Sequence, residues 1–461
     1  MTSDRTILKT RKITANEAQR CAEEQVQFIG TIQPHGFVLV IDKETHNIVQ
    51  YSNNFLGFIN QDKKKPLAKN TPILNTPLSH WMKHNAYTIF DELTSSGSLT
   101  ISFDEGGLIS SNKWECIGSL TNGYVLLEFL PNTHTQTAYH ILSSLDRMVA
   151  KIRQSTSLQD LFNTITTEFQ KHTQYDRVML YKFFPDWSGE VVSESVSDNT
   201  EIQFLGMRFP SEDIPKAARE LYATSALRIM TDADANTVGF TPEVLPNGKP
   251  LDQSHSVLRG MSLMHIKYLK NMGVKASLSI ALMSKGKLWG LMAFHHYTPK
   301  VPPAYLVSEM KASCELFAEI IISYLNPALE LDKVKKTMEG KRIIEKSFSQ
   351  IDLTKDDSYE IQQALDSIRE VLNKDYIGLL IKDKCYISSH KENWIPPKDL
   401  RKKLELLLNK SSGLYYESHK LLEPDNSTVL DPKRNIAGLL MIKSTKVGGL
   451  ILFFAADESE K

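Results

Sequence analysis

Cysteine is scarce in this chain and scattered. Cys21, Cys116, Cys314 and Cys385 show no Cys-x-x-Cys spacing, which disfavours a disulfide framework or a structural zinc site and fits a reducing compartment. An excess of one charge is lacking too. The 54 Lys and Arg residues balance 54 Asp and Glu residues, so neither a nucleic-acid groove nor a polybasic membrane patch is indicated. Apolar runs such as FAEIIISYL are too short to span a bilayer, and the opening MTSDRTILKTRK lacks the apolar core of a signal peptide. These features describe a soluble cytoplasmic protein with no metal, membrane or nucleic acid to bind.

Enzymatic signatures are missing as well. There is no GxSxG elbow, Walker loop, HExxH pair or Rossmann glycine fingerprint. The lone GTIQPHG (30–36) is followed by a strand, whereas a phosphate cradle needs a helix after it. The chain also lacks internal repeats and low-complexity tracts.

What is present is enough chain for about three domains of roughly 150 residues each, arranged as three blocks of strands and helices. The first runs to about residue 133, with strands at 36–42, 47–53, 98–103 and 124–130 and a boundary at PNTHTQT (131–137). The second opens on a helix in which Leu158, Leu161, Phe162, Ile165 and Phe169 recur at helical spacing behind a Ser157–Asp160 capping box. Strands follow at 177–183 and 189–196, then a hairpin of 277–284 and 287–296 about Lys285-Gly286. An amphipathic helix starts near Ala304, with Leu306, Met310, Ser313, Phe317, Ile320, Ile321 and Tyr324 on one face. Pro327 kinks or interrupts it before it resumes, making a domain connector or a dimer seam. The third block, from about 340, has strands at 376–382, 436–444 and 448–454 and a helix over PPKDLRKKLELLLNK. Antiparallel sheets with helices set to one side predict an α+β protein.

Several residues invite a functional reading beside a plain one. His265, in SLMHIKYLKNMG, is either a core histidine or a pocket imidazole. In FPSEDIPKAARELY, Ser211 or Asp213 is a natural helix N-cap with Pro215 an early helical residue, or else Asp213 faces a ligand. Arg228 and Arg259 stand beside apolar neighbours, where they either snorkel to the surface or, with Tyr222, Ser277 and Ser279, offer donors suited to two carboxylates. His295 and His296 end a strand, so one points to each face. Cys21 is buried filler, or, among polar neighbours, an exposed and reactive thiol.

Taken together, these stretches resemble the photosensory module of bacteriophytochromes, red/far-red light receptors that bind a linear tetrapyrrole. The resemblance runs from about Cys21 to Lys300, through IQPHG (32–36), DRVMLYKF (176–183), DIP (213–215), LRGMSLMHIKYLKNMGVKASLSI (258–280) and GKLWGLMAFHH (286–296). Beyond about 330 it is weaker and rests on AGLLMIKS and LILFF. It implies an arm and PAS domain over 1–133, a GAF domain over 134–325 and a GAF-like PHY domain over 326–461, with an N-terminal knot near Ile32 threading the loop between Arg228 and Arg259.

The resemblance also implies roles. His265 packs over the inner pyrroles, Asp213 offers its carbonyl to pyrrole N–H groups and Ile214 lies against the bilin. His295 bonds the D-ring carbonyl, Tyr181, Phe209 and Tyr268 surround that ring, and Arg228, Arg259, Tyr222, Ser277 and Ser279 take the two propionates. Plant-type relatives carry a thiol immediately before the pocket histidine, where this chain has Met264. Biliverdin-binding relatives use an N-terminal cysteine, and Cys21 stands at the matching distance from IQPHG, so the resemblance implies biliverdin attached through Cys21. The implied activity is light-driven D-ring Z/E isomerisation without catalysis, in a homodimer with a histidine-kinase-type output that is separate or missing. The sequence departs from the family in ending at LFFAADESEK without the Pro-Arg-x-Ser-Phe motif of the PHY hairpin, so the PHY domain reads as truncated or tongueless. Asp213 is then expected to lack an arginine partner, and the photoproduct to be incomplete and quickly reverting. Glu212 stands where serine is usual. The competing reading is a bilin-free PAS–GAF scaffold that dimerises or binds another small molecule.

Overall fold

The computed structural model describes residues 25–61, 66–83, 89, 91–94, 98–101, 107–110, 113–131, 138–197, 203–301, 310–349, 358–371, 376–381, 384–389, 415–418, 436–443 and 450–456. Cys21, most of the expected boundary at 131–137, the helix start near Ala304 and the helix over PPKDLRKKLELLLNK lie outside them. The chain divides into two units, Met1–Leu329 and Glu330–Lys461. Among the described residues no helix is long and apolar enough to cross a membrane.

The strands of the first unit are β1 (Thr31–Ile32), β2 (Phe37–Asp42), β3 (Ile48–Ser52), β4 (Ser98–Ile101), β5 (Trp114–Thr121), β6 (Tyr124–Pro131), β7 (Arg177–Phe183), β8 (Gly189–Val196), β9 (Arg208–Phe209), β10 (Leu227–Met230), β11 (Val238–Thr241), β12 (Ala276–Ser284) and β13 (Lys287–His296). They form two antiparallel sheets, one ordered β1-β11-β3-β2-β6-β5-β4 and the other β10-β12-β13-β7-β8-β9. Its helices are α1 (Phe55–Asn60), α2 (Ala138–Arg153), α3 (Leu158–Thr173), α4 (Lys216–Thr224) and α5 (Leu263–Asn271). A further helix, α6 (Met310–Ser349), spans the division between the units.

Strand β2 shows why its sequence is an unbroken apolar run. Successive side chains alternate across a sheet. Phe37, Leu39 and Ile41 enter a core with Phe55, Trp81 and Phe129, while Val38 and Val40 enter a second core with Leu161, Phe162, Ile165 and Phe169 of α3. Both faces are covered, so neither carries polar residues.

Local signals place the second sheet. The Ser157 hydroxyl accepts the Asp160 N–H at 3.1 Å and starts α3. The return bond of the expected capping box goes one residue further back, from the Thr156 N–H to Asp160 Oδ2 at 2.8 Å. Lys285 and Gly286 take φ of +50° and +74°, as a two-residue hairpin between β12 and β13 requires.

Two expectations are corrected. Neither Ser211 nor Asp213 caps α4: they form a separate 3₁₀ turn (Ser211–Asp213), and Pro215 is itself the N-cap, which frees the Asp213 carboxylate. Of the two readings of Pro327, interruption gives way, since α6 continues through it. A proline deprives the carbonyl four residues earlier of its donor. That residue, Ser323, is exposed, so water can serve its carbonyl.

In the second unit, α7 (Ser358–Val371) accompanies β14 (Tyr376–Ile381), β15 (Lys384–Ser389), β16 (Tyr415–Ser418), β17 (Ile436–Lys443) and β18 (Leu450–Ala456). These form an antiparallel sheet ordered β15-β14-β18-β17-β16. Ile361, Leu365 and Ile368 of α7 are buried, as are Ile377 and Leu379 of β14.

Candidate functional site

The six-stranded sheet has two unlike faces. Val178, Leu180, Leu278, Ile280, Met292 and Phe294 point into the core beneath α3. Their alternates, Met179 and Tyr181 on β7, Ser277 and Ser279 on β12, and Leu291, Ala293 and His295 on β13, line a cavity of about 220 Å³. Register gathers them: Ser277 pairs with His295, Ser279 with Ala293, and Leu291 with Tyr181. Arg228 on β10 pairs with Ser279, which brings its guanidinium to the same face. The remaining walls come from the 211–213 turn, α4, α5 and the N-terminal arm at Val26 and Ile29.

Twelve of the thirteen residues singled out from the sequence line this one cavity: Tyr181, Phe209, Asp213, Ile214, Tyr222, Arg228, Arg259, His265, Tyr268, Ser277, Ser279 and His295. The thirteenth, Cys21, precedes the described arm. His296 points away, as strand alternation predicts, with Nδ1 2.7 Å from Asp176 Oδ2.

The arginines dominate the electrostatics. Arg259 is buried, its Nε has no hydrogen-bond partner, and its NH1 reaches only to 3.5 Å from the Gln253 carbonyl. Arg228 donates through NH2 to the Gly260 carbonyl and leaves NH1 buried and unpartnered. Burial holds Arg228 well below its usual value and Arg259 compounds the effect; burial, opposed by Tyr222, Glu128 and Asp252, lowers Arg259 to about 10. Snorkelling is therefore excluded for Arg259. Tyr222 and then Glu128 oppose the lowering on both arginines, but the Glu128 oxygens already accept from the Ser256 hydroxyl at 2.6 Å, the Leu258 N–H at 2.7 Å and the Val257 N–H at 3.0 Å. Tyr222 Oη lies 2.8 Å from Ser279 Oγ beside them.

His265 shows part of its ring to the cavity and is otherwise hemmed in by protein. Burial, then the nearby Arg228 charge, lowers it to about 4. His295 is 7% exposed, its Nδ1 has no partner, and burial with Arg177 and His265 brings it to about 3. Both imidazoles are neutral at neutral pH. The Tyr268 hydroxyl donates to Asp213 Oδ2 at 3.3 Å. Burial raises the Asp213 carboxyl; the Tyr268 bond opposes this and Glu212 adds to it. Tyr181, Phe183, Phe204 and Phe209 form an aromatic wall, with centroids 5.2 Å apart for Tyr181–Phe183 and 6.0 Å for Tyr181–Phe209.

Sequence reading overlooked the support of this site. Glu128 is visible as a lone carboxylate in the apolar run YVLLEFL, yet its partners lie about 130 residues away. Gln253, fully buried, accepts the Gly30 N–H and donates to the Thr31 carbonyl, each at 3.0 Å. The arm is held from both sides, because β1 also pairs with β11 while Gly260 N–H donates to Thr31 O at 2.8 Å.

A cavity with apolar and aromatic walls, neutral imidazoles and two under-partnered guanidiniums suits a flat, conjugated dianion. Among the described residues no group of three or more His, Cys, Asp or Glu side chains forms a metal site.

Comparison with known proteins agrees with this chemistry. A PAS fold family model matches residues 21–132 and a GAF domain model matches 157–321. The chain is 32% identical over 313 residues to cyanobacterial phytochrome B of Nostoc sp., covering 66% of this chain and 40% of that protein. It is also 32% identical over 314 residues to a bacteriophytochrome of Pseudomonas aeruginosa, covering 67% and 40%. The crystal structure of a bacteriophytochrome from the photosynthetic bacterium R. palustris superposes with a TM-score of 0.69 at 22% identity, covering 95% of this chain and 86% of that one. The chain spans about 40% of the length of the curated relatives it matches. With its PAS and GAF domains, this chain belongs to the phytochrome photosensory family.

Proposed function

We propose that the protein is a red/far-red light receptor that carries biliverdin, attached covalently through Cys21, and signals by Z/E isomerisation about the D ring. One observation carries the reading: Arg228 and Arg259 bring unpartnered, enclosed nitrogens to one apolar cavity. Burying two cations without anions is costly, and two propionates would satisfy both. The residues present thus fit a bilin. When bound, that group would supply the visible absorption and the isomerisable double bond.

The chain's own residues divide the remaining work. Arg228, Arg259, Tyr222, Ser277 and Ser279 would hold the propionates. His265, neutral, would sit over the inner rings, and His295 would offer a nitrogen to the D-ring carbonyl. Asp213 would present its carbonyl to the ring N–H groups, with Ile214 packed beside it. Tyr181, Phe209 and Tyr268 would enclose the D ring and exclude water. Absorbed light provides the driving free energy, so the pocket needs two arrangements of similar energy rather than a catalytic base.

We extend the reading to architecture. Residues 1–133 form an arm and PAS domain, 134–325 the GAF domain and 326–461 a PHY domain. The contacts of Thr31 and Ile32 with 238–239 on one side and 258–260 on the other support an arm threaded through the loop as a knot. The exposed stripe Leu331, Val334 and Met338 on α6 supports a helical seam in a homodimer that passes the signal to a histidine-kinase-type output.

The test is assembly. Incubated with biliverdin, the apoprotein should develop a strong red band and retain the pigment on a denaturing gel, while Cys21→Ala should bind pigment that denaturation releases. A folded apoprotein that develops no red band would overturn the reading. Pigment surviving denaturation on Cys21→Ala would overturn the attachment site.

A further inference from the structure

Gly189 opens β8 directly beside the Tyr181 phenol. Its backbone is not in the left-handed region where glycine is needed, so conformational freedom does not account for it. Space does. A Cβ placed there would lie 2.1 Å from Tyr181 Cζ, 2.2 Å from Cε1 and 2.3 Å from the phenol oxygen. No side chain fits while Tyr181 keeps its place, and ring atoms so close cannot yield by tenths of an ångström.

The strand on the other side of β7 also carries a glycine close to Tyr181, one residue from its register partner Leu291. Gly290 on β13 would bring a Cβ to 2.3 Å from the Tyr181 carbonyl oxygen. The β7–β8 ladder shifts register between Leu180 and Tyr181, and each strand flanking β7 carries a glycine whose Cβ would collide with Tyr181. Glycine within a strand often marks such a close approach.

We infer that Gly189 is a positioning residue for Tyr181: by lacking a side chain, it provides the recess that keeps the phenol at the cavity wall. Phe183 and Phe209 close two other sides of the ring, and the open side is the cavity that Tyr181 lines. Any larger residue at 189 therefore drives the phenol inward, toward the space assigned above to the D ring. The inference rests on that assignment only for its functional consequence; the packing relation holds in the apoprotein.

A four-variant cycle of wild type, Gly189→Ala, Tyr181→Ala and the double substitution separates the two. In the apoprotein, Gly189→Ala should lower the melting temperature by on the order of 5 °C through overpacking. In the Tyr181→Ala background the same change should cost nothing measurable. In biliverdin-loaded protein, Gly189→Ala should reduce the photoconverted fraction, and it should have no further effect once Tyr181 is alanine. An equal loss of melting temperature in both backgrounds, or none in either, would overturn the inference. If wild type takes up no pigment, the functional reading fails while the apoprotein cycle still decides whether Gly189 acts through Tyr181.

Discussion

Replacing Arg259 with methionine should move two properties in opposite directions. The side chain is 5% exposed, its Nε lacks a partner, and its one protein acceptor, the Gln253 carbonyl, lies at 3.5 Å. Burial lowers its value to about 10, which corresponds to about 3 kcal/mol for holding that charge in the folded apoprotein. Methionine fills similar space with no charge and also relieves the repulsion on Arg228. After subtracting about 1 kcal/mol for the weak contact and altered packing, the apoprotein should gain about 1–2 kcal/mol. A lost charge-assisted propionate pair is worth about 2–3 kcal/mol, so biliverdin binding should weaken roughly 30- to 150-fold. Urea denaturation reads the first effect and absorbance titration the second. Biliverdin dimethyl ester, which has no carboxylates, should bind the variant and wild type alike. A variant destabilised by more than about 1 kcal/mol would show that Arg259 is structural, and unweakened biliverdin binding would refute its assignment to a propionate.

Other outcomes follow from the same site. His265 and His295 fall from the ordinary 6.5 to about 4 and about 3, so as pH drops the unfolded chain takes up protons first. Their contribution to stability is whole above about pH 6.5 and is lost as pH falls through those values; His265→Gln should flatten the apoprotein's stability-against-pH slope between 6 and 4 by about 1.4 kcal/mol per pH unit. Glu128→Ala strips acceptors from the Ser256 hydroxyl and from the Val257 and Leu258 N–H groups. It should destabilise by about 3 kcal/mol or more in urea, with Glu128→Gln milder because an acceptor remains.

How far the sequence could be read depended on whether the signal was local. The β12–β13 hairpin was legible because Lys285-Gly286 carries its own turn chemistry between two long apolar runs. Strand β5 was not, because Gly118 interrupts the run and the face that carries Glu115, Ser119 and Thr121 is buried rather than turned to water. At Ser211–Asp213 a sound local rule gave the wrong result: residues that cap helices stand before α4, but Asp213 meets Tyr268 instead. The site was legible only jointly. His265 alone reads as a core histidine, and its pairing with Arg228, Arg259 and His295 came from resemblance, because register and loop closure bring them together from distant stretches. Glu128 and Gly189 are visible oddities in their strands, but the fold alone reveals what each serves.

The most direct test of the central claim is a light-minus-dark spectrum of the biliverdin-loaded protein. Red light should bleach the red band, and the band should return in darkness or under far-red light, with the reversible change lost when His265, Arg228 and Arg259 are replaced together. A red band that illumination leaves unchanged would contradict the account, leaving a bilin-binding protein that does not sense light.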